Sequence, residues 1–221
     1  MSEDPETARQ IAELSLDTRP LLVLDVDDVL LEFVRPFPRF LEGKGFSLKL
    51  ASFRLTGNIA ETASGRVLDQ QEVSELLAGF FDSQADWQDL TVGAAEALAG
   101  FGDQAEIVLL TAMPHRHRAI RRTHLDALGL PYPLVTTEMA KGPAVKSLRG
   151  ASRRPVAFVD DMPHNLESAR NAVPDIHLYH LMADNALRAI VPPPGEGVTI
   201  VDDWADAAPK IASALGISRN A

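Results

Sequence analysis

Three apolar runs in this chain stop abruptly at an acid or a hydroxyl. Leu21–Leu24 ends at Asp25, Ile107–Leu110 at Thr111, and Val156–Val159 at Asp160 and Asp161. Unbroken apolar runs of this length suit parallel strands covered on both faces, where neither side of the pleat meets water. A short strand is predicted over Leu134–Thr136, and two further strands over Ile176–Met182 and Val198–Val201. Between the strands the apolar period lengthens to that of helices. Asp4 ahead of Pro5 and Glu6 predicts a helix start that runs to about Leu14, with proline tolerated at the first helical position. A helix over His115–Leu128 is closed by Gly129 and Pro131, and another opens at Pro143 and runs to Leu148. Pro163–Val173 sets Leu166, Ala169 and Val173 on one side, and Trp204–Leu215 closes the chain before Gly216. Pro192-Pro193-Pro194-Gly195 is a rigid loop between the last two strands. Strands alternating with helices imply an α/β protein with a mostly parallel sheet covered on both faces.

The spacing is interrupted once. Ile107 follows Leu30 by more than 75 residues, whereas a strand-helix-strand unit needs only ~30. An insertion is therefore placed at 33–89, between core segments 1–32 and 90–221. Its clearest element is a helix over Asp69–Phe81, where Asp69 and Glu72 have capping-box spacing and Val73, Leu76, Leu77, Phe80 and Phe81 form an apolar stripe. Phe46, Leu48 and Leu50 alternate with Ser47, Lys49 and Ala51, which fits either a short strand or a loop.

Length and composition narrow the class. At 221 residues the chain suits one domain with a large insertion or two small domains. With 46% hydrophobic and 24% charged residues, it is ordinary for a globular protein in water. A net charge of −10 argues against a nucleic-acid partner, and admits a small anionic substrate only where cations cluster locally. The absence of cysteine removes disulfides, thiolate nucleophiles and cysteine-zinc sites. The acidic start Met1-Ser2-Glu3-Asp4-Pro5-Glu6 lacks the features of a secretion signal, and no apolar run approaches the ~20 residues of a membrane span. A cytoplasmic protein without membrane partners is the expectation; the oligomeric state stays open.

The strand ends carry the candidate chemistry. Asp25 and Asp27 lie two apart where a strand leaves the sheet, so both side chains can point one way while Val26 packs into the core. Ligands of doubly wound sheets sit beyond the carboxyl ends of the strands. Two close carboxylates repel unless a cation joins them, and Mg²⁺ suits oxygen ligands that bridge to phosphate. One carboxylate can attack phosphorus, and the other can protonate the leaving oxygen and later deprotonate water. The alternative for such a pair is a turn or cap, and Asp28 reads as a capping or supporting acid. Thr111 can offer its hydroxyl, with nearby backbone amides, to a phosphoryl oxygen. Lys141 precedes Gly142-Pro143 in a loop at a helix start and can neutralise charge; Lys146 is its rival, placed inside the following helix. Of Asp160 and Asp161, one can complete a metal shell and the other can hold a metal-bound water or Lys141. Asn165 is suited to fixing their loop by hydrogen bonds to the backbone.

In this order the segments resemble the four motifs of the haloacid dehalogenase-like hydrolase superfamily. The first is Asp25-Val26-Asp27-Asp28-Val29-Leu30, the second Thr111, the third Lys141, and the fourth Asp160-Asp161 with Asn165. The resemblance covers about 20–32 and 92–182. It implies a Rossmann-like, doubly wound sheet, with the insertion as a mainly helical cap that closes over the site. It also implies Mg²⁺ and an aspartyl-phosphate mechanism, with Asp25 as nucleophile and Asp27 as acid/base. Asp25, the backbone carbonyl of Asp27 and Asp160 would hold the metal. Dehalogenase members lack the second aspartate, so Asp27 points to phosphate chemistry.

The expectation is thus a Mg²⁺-dependent phosphatase acting on a small phosphorylated metabolite, using Asp25, Asp27, Thr111 and Lys141, with Asp25, Asp27, Asp160 and Asp161 around the metal. The alternatives are a phosphotransferase or mutase with the same nucleophile, and a non-catalytic protein that binds a phosphorylated ligand. Around that core, His115, Arg116, His117, Arg118, Arg121, Arg122 and His124 crowd one helix, read chiefly as a solvated face, with His115 or Arg116 as candidates for contact with an anion. His115 and His117 lack further zinc ligands nearby. Arg35, Arg39 and Arg54 are candidates either for reading the leaving group or for surface roles, and His177 and His180 read as structural.

Overall fold

The computed structural model describes residues 4–15, 17–49, 54–184 and 191–218. In chain order the elements are α1 (Pro5–Ala12), β1 (Leu21–Leu24), α2 (Phe37–Glu42), β2 (Phe46–Leu48), β3 (Ile59–Glu61), α3 (Gln70–Asp82) and α4 (Ala94–Phe101). There follow β4 (Glu106–Thr111), α5 (Arg118–Ala127), β5 (Leu134–Thr136), α6 (Lys141–Arg149), β6 (Val156–Asp160), α7 (Pro163–Ala172), β7 (His177–His180), β8 (Val198–Ile200) and α8 (Trp204–Leu215).

Six strands form one sheet in the order β5-β4-β1-β6-β7-β8, and every pairing in it is parallel. From β1 the chain passes through the insertion to β4 and β5 on one side, then crosses to β6, β7 and β8 on the other. The carboxyl end of β1 therefore lies at the point where the winding reverses, the place where open α/β sheets leave a crevice for ligands.

Strands that read as unbroken apolar runs divide by parity once folded. Leu22, Leu24, Ile107, Leu109, Ala157 and Val159 face a core built on α4, α5 and α8. Leu21, Val23, Val108, Leu110, Val156 and Phe158 face α1, α6 and α7. Both faces are buried, so polar residues appear only where the strands end.

Between β1 and α4 the chain folds as a mainly helical cap with its own apolar cluster. Phe37, Phe40, Ile59, Val73, Phe80 and Phe81 are buried together, and Phe80 meets Phe33, Phe37 and Phe40 edge-on at 5.3 Å. The capping box is present: Asp69 accepts from the Glu72 N–H at 2.9 Å, and Glu72 returns the contact to the Asp69 N–H at 2.9 Å. Of the two readings of Phe46–Ala51, a strand is found over Phe46–Leu48, antiparallel to β3; Leu50 and Ala51 lie outside the described residues. Two chain segments join cap to core, and they touch. Glu32 N–H donates to the Asp89 carbonyl, and Gln88 Nε2 donates to the Glu32 carbonyl at 3.1 Å.

Several boundaries differ from expectation for identifiable reasons. The helix expected from Pro143 starts at Lys141, because a proline in the first turn lacks only an N–H that would have no intrahelical partner. The helix expected from His115 opens with a tight 3₁₀ turn, His115–His117, before α5. Elements α2, β3 and α4 went unread, being short or lacking a polar face of their own. Among the described residues, no helix is long and apolar enough to cross a membrane.

Candidate active site

Register brings the motif residues together. Leu24 pairs with Leu109 of β4 and with Val159 of β6, so Asp25 stands level with the ends of both neighbours. The Asp25 N–H donates to the Val159 carbonyl at 2.9 Å, which fixes its backbone. Asp25 continues the parity of Leu21 and Val23, toward α6. There Lys141 Nζ lies 2.7 Å from Asp25 Oδ1 and 2.7 Å from Asp160 Oδ2, and Lys141 and Asp160 are completely buried. Lys141 reaches this place because Gly142 lets α6 press onto α7. A Cβ at 142 would come within 2.1 Å of the Ser168 carbonyl oxygen, while the Gly142 N–H donates to Ser168 Oγ at 3.0 Å. Lys146, the rival candidate, is exposed.

The two acids of the fourth motif divide. Asp160 Oδ1 accepts from the Met162 N–H at 2.8 Å and from Asn165 Nδ2 at 3.0 Å, and its Oδ2 holds Lys141. Asn165 thus bonds a carboxylate where bonds to the backbone were expected. The Asp161 carboxylate, although buried, takes no hydrogen bond among the described residues; His180 Nε2 instead donates to the Asp161 backbone carbonyl at 2.8 Å. Asp25, Asp160 and Asp161 offer oxygens that all lie within 4.8 Å of one another. Three buried carboxylates against one ammonium leave an excess of two negative charges, the deficit that a hard dication fills. Burial pushes Asp25 up to about 7, with Lys141 drawing it back and Asp160 adding to it. Burial, then Asp160 and Asp25, raises Asp161 well above the ordinary carboxylate range. Burial alone would lower Lys141, but Asp160 and Asp25 more than offset it and hold the ammonium above its usual value.

Asp27 has different company. Its Oδ1 accepts from Arg121 Nη2 at 2.9 Å and from Gln88 Nε2 at 2.9 Å, and Thr111 Oγ1 lies 3.4 Å from its Oδ2. Arg121 is fully buried under the Phe81 ring, 5.6 Å from its centroid, and His124 Nε2 holds the Gln88 carbonyl at 3.0 Å. Reading this helix as chiefly a solvated face was therefore wrong: of its seven basic residues only Arg116 is exposed. The run of basic residues carried no sign that one arginine would turn inward. His115 does not contact the site, being hydrogen-bonded to Asp4 and Thr136 instead.

Asp28 closes the turn after β1 in the left-handed region, at φ 57°, which aspartate tolerates better than most residues. Its Oδ1 accepts the N–H groups of Phe33 and Val34 at 3.0 and 3.1 Å, tying the first cap segment to the end of β1. Burial pushes it up to about 7 against those two bonds.

A cavity of about 620 Å³ opens above these residues, lined at its floor by Asp25, Asp27, Thr111, Asp161 and Asn165, and on the cap side by residues that include Phe33, Phe37, Leu77 and Phe81. Lys141 and Asp160 lie behind Asp25, outside the lining. Arg35, Arg39 and Arg54 are exposed and do not reach the cavity.

No protein-family model and no curated protein matches the sequence. Solved structures resemble its fold. A haloacid dehalogenase-like hydrolase from Entamoeba histolytica is 8% identical with a TM-score of 0.61, over 89% of this chain and 99% of that one. A predicted phosphoglycolate phosphatase from Haemophilus somnus is 13% identical with a TM-score of 0.56, over 90% and 100%. A family hydrolase from Deinococcus radiodurans, with bound phosphate and sodium, is 15% identical with a TM-score of 0.55, over 90% and 97%. At such identities the likeness is one of architecture.

Proposed function

The chain has the haloacid dehalogenase-like fold, a Rossmann-like core with an inserted cap, and we propose that it is a Mg²⁺-dependent phosphatase of small phosphate monoesters. The observation that carries this reading is Lys141 held between Asp25 and Asp160, behind a cavity whose floor carries Asp25 and the unpartnered Asp161 carboxylate.

In the first step an Asp25 oxygen attacks phosphorus. Oδ1 is engaged by Lys141 and by the Val26 N–H at 2.7 Å, whereas Oδ2 takes no hydrogen bond among the described residues and is the oxygen available. The bond from phosphorus to the ester oxygen breaks, and Asp27 gives its proton to that oxygen. In the second step Asp27 takes a proton from water, the water oxygen attacks phosphorus, and the Asp25–phosphorus bond breaks to release phosphate. Thr111 contributes its hydroxyl and Lys141 its charge as negative charge develops.

Asp25, the backbone carbonyl of Asp27 and Asp161 would hold the metal; Asp160 is committed to Lys141, the Met162 N–H and Asn165, and so supports rather than ligates. When bound, Mg²⁺ supplies positive charge to the phosphoryl oxygens. Segment 33–89 serves as the cap, and its paired connections to the core, one bonded to Asp28 and one to Asp27 through Gln88, link cap position to the acid/base.

The test is phosphate release from a broad ester panel with Mg²⁺, comparing the parent with Asp25→Asn. Loss of activity by about 10⁴-fold or more is expected, as for removal of a nucleophile. Equal rates in both proteins would remove Asp25 from this role.

A further inference from the structure

We propose that the leaving group is apolar, so that the substrates are alkyl or aryl phosphate monoesters rather than sugar or polyol phosphates. This rests on the phosphatase reading above and names its substrate class.

Polar atoms are unevenly distributed around the cavity. At the floor stand the carboxylates, Thr111 and Asn165, which the phosphoryl group would engage. Beyond them the described wall is mostly carbon, with Phe33, Phe37, Leu48, Leu77, Phe81 and Met113. From the described residues of the cap, Ser74 is the single hydrogen-bonding side chain in the lining, and it is exposed. The other polar side chains that reach the cavity, Arg116, Glu138 and His164, are exposed at its rim. A volume of about 620 Å³ falls within the range of cavities that hold small organic ligands, and a phosphoryl group fills only part of it.

A sugar in this space would strip water from several hydroxyls and return few hydrogen bonds, which costs binding energy for each one. A hydrocarbon loses nothing polar and gains from every methylene it hides. The cap arginines that could have read a charged leaving group point to other work: Arg35 pairs with Glu32 at 2.9 Å, and Arg39 and Arg54 lie exposed away from the lining. Phe33, Leu48, Leu55 and Leu77 pack partly buried against the cap's apolar cluster and line the cavity.

The experiment is Mg²⁺-supplemented phosphate release from ethyl, butyl, hexyl and phenyl phosphate, set against glycerol phosphate and glucose 6-phosphate. Across the alkyl series kcat/KM should climb by about fourfold per methylene, and each polyol ester should fall at least about tenfold below its size-matched alkyl partner. Leu77→Asn should flatten the alkyl series. A flat series in the parent, or polyol esters turned over as well as alkyl ones, overturns the assignment. A second arm separates this outcome from failure of the phosphatase reading. Hexylphosphonate and a glycerol phosphonate are titrated into Asp25→Asn by calorimetry, where no turnover is needed. Tighter binding of hexylphosphonate upholds the substrate class even if no ester is hydrolysed, and equal affinity sinks it.

Discussion

Asp25 and Asp27 are two residues apart, and each faces a buried cation, but the two pairs are built differently. Lys141 is fully engaged by two carboxylates, each 2.7 Å away, and Asp160 is in turn held by Asn165 and a backbone N–H. Arg121 makes one ion pair at 2.9 Å, and its Nε and Nη1 are buried with no partner among the described residues. Asp27 itself is about one-fifth exposed, whereas Asp160 is completely enclosed. The first pair is a closed network, which resists movement because any shift strands a buried charge. The second holds its aspartate from one side, and shares it with Gln88 on the connection to the cap. In the proposed mechanism the closed network would keep the nucleophile in place, and the lighter hold would suit an acid/base that serves two successive steps.

The largest effect expected from breaking this contrast is at Lys141. Lys141→Met would leave Asp25, Asp160 and Asp161 without a counter-charge, and should cost about 3–5 kcal/mol of stability in metal-free protein, read by urea denaturation. A cost under about 1 kcal/mol would show that the lysine is not the clamp described.

Metal and pH come next. Asp25 and Asp28 stand at about 7 in the fold, above the unfolded value near 3.8, and Asp161 is raised as well. The folded protein then binds more protons than the unfolded chain between about pH 4 and 7, so metal-free stability should fall as pH rises through that window. Mg²⁺ should restore it, by about 2–3 kcal/mol at roughly 100 times its Kd, and far more at pH 8 than at pH 5. Thermal melts with Mg²⁺ and with chelator at both pH values provide the check; equal shifts at the two would count against a carboxylate site.

Gly142→Ala sharpens the comparison from the backbone. Its methyl group would collide with the Ser168 carbonyl, so a loss of about 1–3 kcal/mol is expected together with reduced phosphate release, since α6 carries Lys141. Retained stability and activity would mean that α6 and α7 can separate without disturbing the lysine.

The smallest effect on stability belongs to Arg121→Met. It removes two unsatisfied nitrogens along with the ion pair, and Asp27 keeps Gln88 and some water, so stability should change by less than about 1 kcal/mol. Catalysis should nevertheless suffer, with kcat down about tenfold and the pH profile displaced, and Arg121→Lys should restore part of it. An unaltered pH profile would reduce Arg121 to packing.

What could be read in advance follows from locality. An apolar run ending in an acid predicts a buried strand end whatever lies beside it, so β1, β4 and β6 and the carboxylates after them were visible. The capping box of α3 is complete within four residues, and α8 lies between Asp203 and Gly216 as its ends predict. Lys141 stood out because a glycine follows it and a helix opens there. Arg121 and Gln88 were invisible for the opposite reason. Nothing within several residues of either distinguishes a side chain that turns to a strand end 94 or 61 positions away from one that faces water.

Sequence by itself determined the alternation of strands and helices and the acids at the strand ends, since each depends on hydrophobic period and chain-local turn chemistry. Tertiary structure alone decided which cation faces which aspartate, which carboxylate of Asp160 and Asp161 is left without a partner among the described residues, and that the described cavity wall is mostly carbon. Those are properties of distances between remote segments, set only when the sheet winds and the cap packs down.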